Sequence, residues 1–228
     1  MNKLLIIGHR GAKGYEPENT LISFRKAIDM KVDGIELDVH LSSDGEIIVF
    51  HNNTLDGMTN GKGNISQYSL SELKDFRIEN KHQIPTLKEV FDLVDKKCFI
   101  NIELKVNTAT KPVLDLIEDY ILNKNWNYEH FQISSFDWNL LEEVSKINPD
   151  IFIGVLTQND LDSAFEFAKT INAKSINPYF KLLSAENSKK IKTEGLQIFP
   201  WTVNETSDIE KIKSFKVNGI ITDFPDRV

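Results

Sequence analysis

Gly34-Ile35-Glu36-Leu37-Asp38-Val39-His40 alternates with period two: apolar Ile35, Leu37 and Val39 interleave with polar Glu36, Asp38 and His40. That is the period of a strand. Strand side chains alternate between faces, so the two carboxylates point the same way, about 7 Å apart along the chain. An amphipathic surface strand has the same pattern. A second copy argues for more. Phe99-Ile100-Asn101-Ile102-Glu103-Leu104-Lys105 alternates likewise, with Asn101, Glu103 and Lys105 on one face. With both strands in one sheet and their apolar faces against helices, three carboxylates converge on the opposite face. Converging carboxylates repel, and taking them out of water is expensive. A hard cation with oxygen ligands, Mg2+ or Ca2+, resolves both problems. The pattern therefore predicts a metal site of Glu36, Asp38 and Glu103.

Just upstream, Leu4 to Gly8 is a nearly continuous apolar run, the kind of strand that is buried on both faces. It ends in His9-Arg10-Gly11. Asn19 reads as the N-cap of a helix carrying Leu21, Phe24, Ala27 and Ile28 at helical spacing. Downstream, Asp44-Gly45 reads as a two-residue hairpin turn, with Glu46 to His51 as the return strand. In that register Ser43 faces Glu46 and Asp38 faces His51, which puts His51 on the carboxylate face. From Asn52 to His82 the pattern weakens and Gly57, Gly61 and Gly63 punctuate it, which predicts a small insertion covering the site. Pro85-Thr86 opens a helix whose buried stripe is Leu87, Val90, Phe91 and Val94.

After Lys105 the chain settles into helix-strand alternation. Helices are predicted at 112–123, 138–147, 161–170, 184–193 and 205–215. Strands are predicted at 131–134, 151–156, 175–177, 197–201 and 219–222. Leaving out the hairpin return, about eight strand-helix units fit the size of a single-domain (β/α)8 barrel of the α/β class. A doubly wound open sheet is the alternative, but no dinucleotide-type glycine loop is present.

The chain has 228 residues, 40% of them apolar, with a net charge of −7 from 27 basic and 34 acidic residues. That balance argues against nucleic-acid binding and against a polybasic membrane surface. It leaves room for a small anionic substrate. Cys98 is the single cysteine, so neither a disulfide framework nor a cysteine-rich zinc site is expected. Leu4 to Ile7 is too short for a signal peptide and no run suits a transmembrane helix. A cytoplasmic protein without stable membrane insertion is expected.

Barrel active sites lie at the C-terminal ends of the strands. Those ends carry His9-Arg10, Glu36 and Asp38, Glu103 and Lys105, Ser134-Ser135, Thr157, Asn177, Trp201 and Asp223, while His51 arrives on the hairpin. His40 shares the carboxylate face but lies further along and is left out. His82 and His130 fall elsewhere. Two histidines, two cations and one divalent metal suit phosphodiester chemistry. Cations neutralise the phosphoryl oxygens. Histidines near neutral pH take the nucleophile's proton and supply the leaving group's.

The sequence resembles the glycerophosphodiester phosphodiesterase family. The early matches are Gly8-His9-Arg10-Gly11, Pro17-Glu18-Asn19-Thr20, Ile35-Glu36-Leu37-Asp38-Val39, Asp44-Gly45, Val49-Phe50-His51 and Thr54-Leu55-Asp56. Thr59-Asn60-Gly61-Lys62-Gly63, Ile84-Pro85-Thr86-Leu87 and Ile102-Glu103-Leu104-Lys105 follow. Late matches are Ser134-Ser135-Phe136, Trp201-Thr202-Val203-Asn204 and Thr222-Asp223-Phe224-Pro225-Asp226. The ordered set covers essentially the whole chain. The resemblance implies a TIM barrel with an insertion at about 52–82, and hydrolysis of glycerophosphodiesters to glycerol 3-phosphate and an alcohol. It implies metal positions at Glu36, Asp38 and Glu103 and catalytic histidines at His9 and His51. It also implies phosphate contacts at Arg10 and Lys105; Trp201 joins them as a substrate contact. Two positions depart from the family pattern. Asn52 stands where an Asp often follows the histidine, and Gly57 where Arg is common. A lysophospholipase D acting on lipid would share the same centre and favour an exposed apolar rim. A non-catalytic phosphate-binding module would not need the intact histidine and carboxylate set.

Overall fold

The structure, a computed structural model, describes residues 3–228. Eight parallel strands form a barrel: β1 (Leu5–Gly8), β2 (Gly34–Leu41), β4 (Phe99–Leu104), β5 (Phe131–Ser135), β6 (Phe152–Thr157), β7 (Ser175–Pro178), β8 (Gln197–Ile198) and β9 (Gly219–Thr222). Their order is β8-β7-β6-β5-β4-β2-β1-β9, and β3 (Ile47–Val49) pairs antiparallel with β2. The barrel closes between β8 and β9. Asn218 N–H donates to Ile198 O at 3.1 Å, and Ile221 N–H to Pro200 O at 2.9 Å. The helices are α1 (Leu21–Asp29), α2 (Leu70–Leu73), α3 (Leu87–Val94), α4 (Thr110–Lys124), α5 (Trp138–Ile147), α6 (Leu161–Thr170), α7 (Ala185–Thr193) and α8 (Thr206–Ser214). No helix among the described residues is long and apolar enough to cross a membrane.

The predicted alternation is the one that builds the core. Ile35, Leu37, Val39, Ile100 and Ile102 are fully buried in the large cluster that joins the sheet to the helices. Glu36, Asp38 and Glu103 take the other face of the same strands, inside the barrel. Lower in the interior, Ile7, Phe199 and Ile221 pack with Leu5, Phe99 and Phe152. The α3 stripe of Leu87, Val90, Phe91 and Val94 is fully buried. That helix opens on a reciprocal cap: Thr86 Oγ1 accepts from Glu89 N–H, and Glu89 Oε2 accepts from Thr86 N–H at 2.7 Å.

Three local expectations need correction. The hairpin register is shifted by one: Val39 pairs with Val49 and His40 with Ile48, and Phe50 N–H donates to Asp38 O at 3.0 Å. The loop has three residues rather than two. Ser42 N–H bonds Glu46 O at 3.0 Å, and Gly45 takes the left-handed position at φ 86°. A shift of one would turn His51 away if the strand continued. It does not: β3 stops at Val49, and His51 swings back into the barrel mouth. Asn19 does not cap α1. Thr20 does, its Oγ1 accepting from Ser23 N–H at 3.2 Å, while Asn19 sits at φ 55°. Strand β8 covers only Gln197–Ile198 because Pro200 has no N–H to offer, although Trp201 N–H still reaches Pro178 O at 3.1 Å.

Between β3 and α3 the chain builds a second small core of Ile48, Phe50, Leu55, Ile65, Leu73, Ile78 and Ile84. Met58 and Tyr68 pack against it. The apolar residues of this segment are therefore spent on its own packing rather than on a lipid-facing rim.

Candidate active site

A cavity of about 210 Å³ opens at the C-terminal ends of the strands. Its lining includes the ionisable side chains of His9, Arg10, Glu36, His51, Glu103 and Lys105 and the uncharged ones of Phe136, Leu156, Gln158, Trp201, Thr202 and Ile221. Ligand oxygens of Glu36, Asp38 and Glu103 lie within 4.8 Å of one another, and all three residues are buried. This follows from register: Asp38 pairs directly with Glu103, two residues beyond the pairing of Glu36 with Asn101.

The electrostatics are those of a site built for a cation. Burial, reinforced by the charges of Asp38 and Glu103, holds the Glu36 carboxyl well above the usual range. Burial and the charge of Asp38 push Glu103 up to about 7. Burial works to raise Asp38 too, but Arg10 and Lys105 overcome it and keep its carboxyl low. Arg10 Nε stands 3.3 Å from Asp38 Oδ2, and Lys105 Nζ 3.5 Å from Asp38 Oδ1 and 2.7 Å from Glu103 Oε1. Asp38 Oδ1 is buried and accepts no hydrogen bond. Three clustered hard oxygen donors and an orphaned carboxylate oxygen fit a divalent cation of the Mg2+ or Ca2+ kind.

His9 follows β1 directly. Its Nδ1 is 2.6 Å from Asp223 Oδ1, and its Nε2 is 4.0 Å from Glu36 Oε2. Asn204 Nδ2 donates to Asp223 Oδ2 at 2.7 Å, and Asp223 N–H donates to Asn204 Oδ1 at 2.9 Å. Burial lowers the His9 pKa despite Asp223. His51 is also lowered by burial, against the pull of Asp38, and its Nδ1 lies 2.9 Å from Asn52 Oδ1. Arg10 is held by Glu18 at 2.8 Å as well as by Asp38. Trp201 donates its indole N–H to Asn177 O at 2.8 Å and meets Phe136 edge to face at 5.4 Å.

Every residue singled out above for metal, proton transfer or substrate reaches this region. The other strand ends do not all face it. Ser134 lines the floor, but Ser135 Oγ bonds Leu104 O and Thr157 Oγ1 bonds Asp160 O. His40 lies behind the site, its Nε2 3.2 Å from His51 O. His130 caps the turn at Asn127. The sequence reading gave Asp223, Asn52, Glu18 and Phe136 no role in the chemistry, and gave Asn19 only that of a helix cap. Asp223 was the easiest to find, since it ends β9 beside the His9 strand.

The sequence profile of the Glycerophosphoryl diester phosphodiesterase family matches residues 9–227. The glycerophosphodiester phosphodiesterase of Caldanaerobacter subterraneus subsp. tengcongensis is 37% identical over 235 residues, covering 98% of this chain and 96% of that protein. The crystal structure of the Thermotoga maritima glycerophosphodiester phosphodiesterase superposes with a TM-score of 0.86 at 30% identity, over 99% of this chain and 97% of that one. An Oleispira antarctica phosphodiesterase, solved with its product sn-glycerol-3-phosphate, gives a TM-score of 0.87 at 25% identity, over 98% of this chain and 94% of that one. With the whole barrel and nearly all of its sequence matched, the chain belongs to the glycerophosphoryl diester phosphodiesterase family.

Proposed function

We propose that this phosphodiesterase cleaves small glycerophosphodiesters, in the cytoplasm, to glycerol 3-phosphate and an alcohol. His9 and His51 carry the protons. Glu36, Asp38 and Glu103 hold a divalent cation, Mg2+ or Ca2+. The observation that carries the reading is the meeting of two histidines, two cationic side chains and the carboxylates of Glu36 and Glu103 at one cavity, with Asp38 clustered against those carboxylates. When bound, the cation would neutralise phosphoryl charge and lower the pKa of a hydroxyl it touches.

The substrate brings its own nucleophile, the glycerol hydroxyl beside the phosphorylated carbon. His9 is neutral near pH 7 because burial lowers its pKa. With Nδ1–H donated to Asp223, its Nε2 lone pair is free to take the hydroxyl proton. The hydroxyl oxygen bonds to phosphorus and the bond to the alcohol oxygen breaks. His51 gives that oxygen a proton. Burial holds the His51 pKa down, and the phosphodiester anion beside it supports the imidazolium. The cyclic glycerol phosphate so formed is opened by water, with His51 taking the water proton and His9 returning one to the glycerol oxygen. Arg10 grips the non-bridging oxygens with paired N–H groups, and Lys105 adds a point charge. Phe136 and Trp201 form an uncharged wall against the organic part of the substrate.

The test is release of glycerol 3-phosphate from glycerophosphocholine. The expected result is release that EDTA abolishes and Mg2+ or Ca2+ restores. No release with either ion present rejects the activity, and release that EDTA leaves intact rejects the cation.

A further inference from the structure

Two non-glycine residues at the site sit in the left-handed region, Arg10 at φ 52° and Asn19 at φ 55°. Left-handed backbone costs a non-glycine residue on the order of 1 kcal/mol, so both conformations are held from outside. They are held partly by each other: Asn19 N–H donates to Arg10 O at 3.1 Å, and Ser23 Oγ donates to the same carbonyl at 2.9 Å. Each then spends one donor on a carboxylate. Arg10 N–H reaches Glu36 Oε2 at 3.0 Å, and Asn19 Nδ2 reaches Asp38 Oδ2 at 2.9 Å. Asn19 is 1% exposed and Asp38 fully buried.

The partner oxygens are treated differently. Asp38 Oδ1 is buried without a hydrogen bond. Among the described residues no hydrogen bond reaches Glu36 Oε1. One oxygen of each carboxylate is hydrogen-bonded by the protein; the other is not, the nearest cation to Asp38 Oδ1 being Lys105 Nζ at 3.5 Å. On the reading of these residues as holders of a cation, we propose that Asn19 is a positioning residue. Linked to Arg10 through the backbone, it reserves Asp38 Oδ2, so that Asp38 meets the ion through Oδ1 alone. Glu36 is restricted in the same way by the Arg10 N–H.

Single-oxygen contacts suit Mg2+, which takes six ligands in a tight shell and keeps several positions for water and substrate. Ca2+ takes six to eight and commonly grips a carboxylate by both oxygens. The arrangement therefore favours Mg2+ and the similarly octahedral Mn2+ over Ca2+.

Asn19→Gly tests this cleanly. Glycine enters the left-handed region freely, so the backbone link survives and only the amide is lost. Mn2+ and Ca2+ affinities are measured by calorimetry on the metal-free protein, without substrate. Mn2+ affinity is expected to fall about 10- to 100-fold. Ca2+ affinity falls less, because Oδ2 then keeps only the longer 3.3 Å contact with Arg10 Nε and can turn to chelate the larger ion, so the Mn2+ to Ca2+ ratio drops. A purely structural role would weaken both ions alike. Unchanged Mn2+ affinity, or an unchanged ratio, overturns the proposal. A crystal structure of the wild-type protein soaked in Mn2+ decides the matter even if the variant does not fold. One Asp38 oxygen on the ion with the other still on Asn19 supports the proposal, and two on the ion overturns it. Failure of wild-type protein to bind Mn2+ at all rejects the cation reading itself and this inference with it.

Discussion

His9 Nδ1 and Asp223 Oδ1 lie 2.6 Å apart, across the line where β1 meets β9. Asp223 is fixed in turn by Asn204, which bonds both its side chain and its backbone N–H. Burial would raise the Asp223 carboxyl, but the His9 and Asn204 bonds hold it below the ordinary range. The carboxylate therefore stays ionised, and it fixes the His9 tautomer with Nε2 bare. Asp223→Asn keeps the shape but can present its amide N–H to Nδ1, which drives the proton to Nε2. The expected result is a kcat loss of about 10²- to 10⁴-fold with little change in KM. Wild-type kcat in this variant would show that His9 does not depend on Asp223.

The carboxylates predict a pH-dependent stability in metal-free protein. Glu103 is pushed up to about 7 by burial and by Asp38, far above its value in the unfolded chain. The folded state thus prefers the protonated form. Its stabilising contribution is complete below about pH 4.5, near the unfolded value, and is lost as pH rises through about 7. Glu103→Gln removes that loss. In EDTA the variant should gain on the wild type between pH 5 and pH 8 by on the order of 2 kcal/mol. Mg2+ should remove the wild type's deficit but not stabilise the variant to the same extent. Thermal melts check both; a difference that does not change with pH contradicts the assignment.

The Glu36, Asp38 and Glu103 set was legible because a two-residue period survives any detail of the loops, and the barrel follows from helix-strand alternation. What the pattern could not carry was geometry set by single backbone angles. Gly45 at φ 86° adds one residue to the hairpin loop and shifts its register. His51 reaches the site only because β3 ends early, which no alternation shows. Asn19 looked like a helix cap because Asn caps helices well, but its side chain is claimed by Asp38 and Thr20 takes the cap. Asp223 meets His9 only because β9, the last strand, pairs with β1, the first, a contact between residues 214 positions apart.

Arg10 and Lys105 are tied to carboxylates, Arg10 to Glu18 and Asp38 and Lys105 to Glu103 and Asp38. In the proposed complex, a bound phosphodiester would draw part of that charge to its phosphoryl oxygens. Arg10→Lys retains the charge but loses the planar fork, and is expected to lower kcat/KM by roughly tenfold or more. Lys105→Ala should lower kcat/KM as well, through loss of a phosphate charge. Wild-type kinetics in both Arg10→Ala and Lys105→Ala would remove these side chains from the site.

The division of labour between the histidines is open to a direct test with substrates. In the cyclic path the glycerol hydroxyl beside the phosphorylated carbon is the nucleophile, and its oriented position replaces a second reactant. A deoxy analogue lacking that hydroxyl should be turned over about 10³-fold more slowly or not at all. Direct attack by water would leave its rate close to that of the parent diester. Leaving-group chemistry separates the two side chains. An alcohol of low pKa departs without a proton, so a nitrophenyl diester no longer needs the acid but still needs the base. It should restore most of the activity of His51→Ala and little of that of His9→Ala. His9 is the one of the pair with a carboxylate on Nδ1, whereas Asn52 offers His51 a neutral amide oxygen. That asymmetry supports His9 as the fixed base. Equal rescue of the two variants would reject the assignment of roles, and equal turnover of the deoxy analogue would reject the cyclic path.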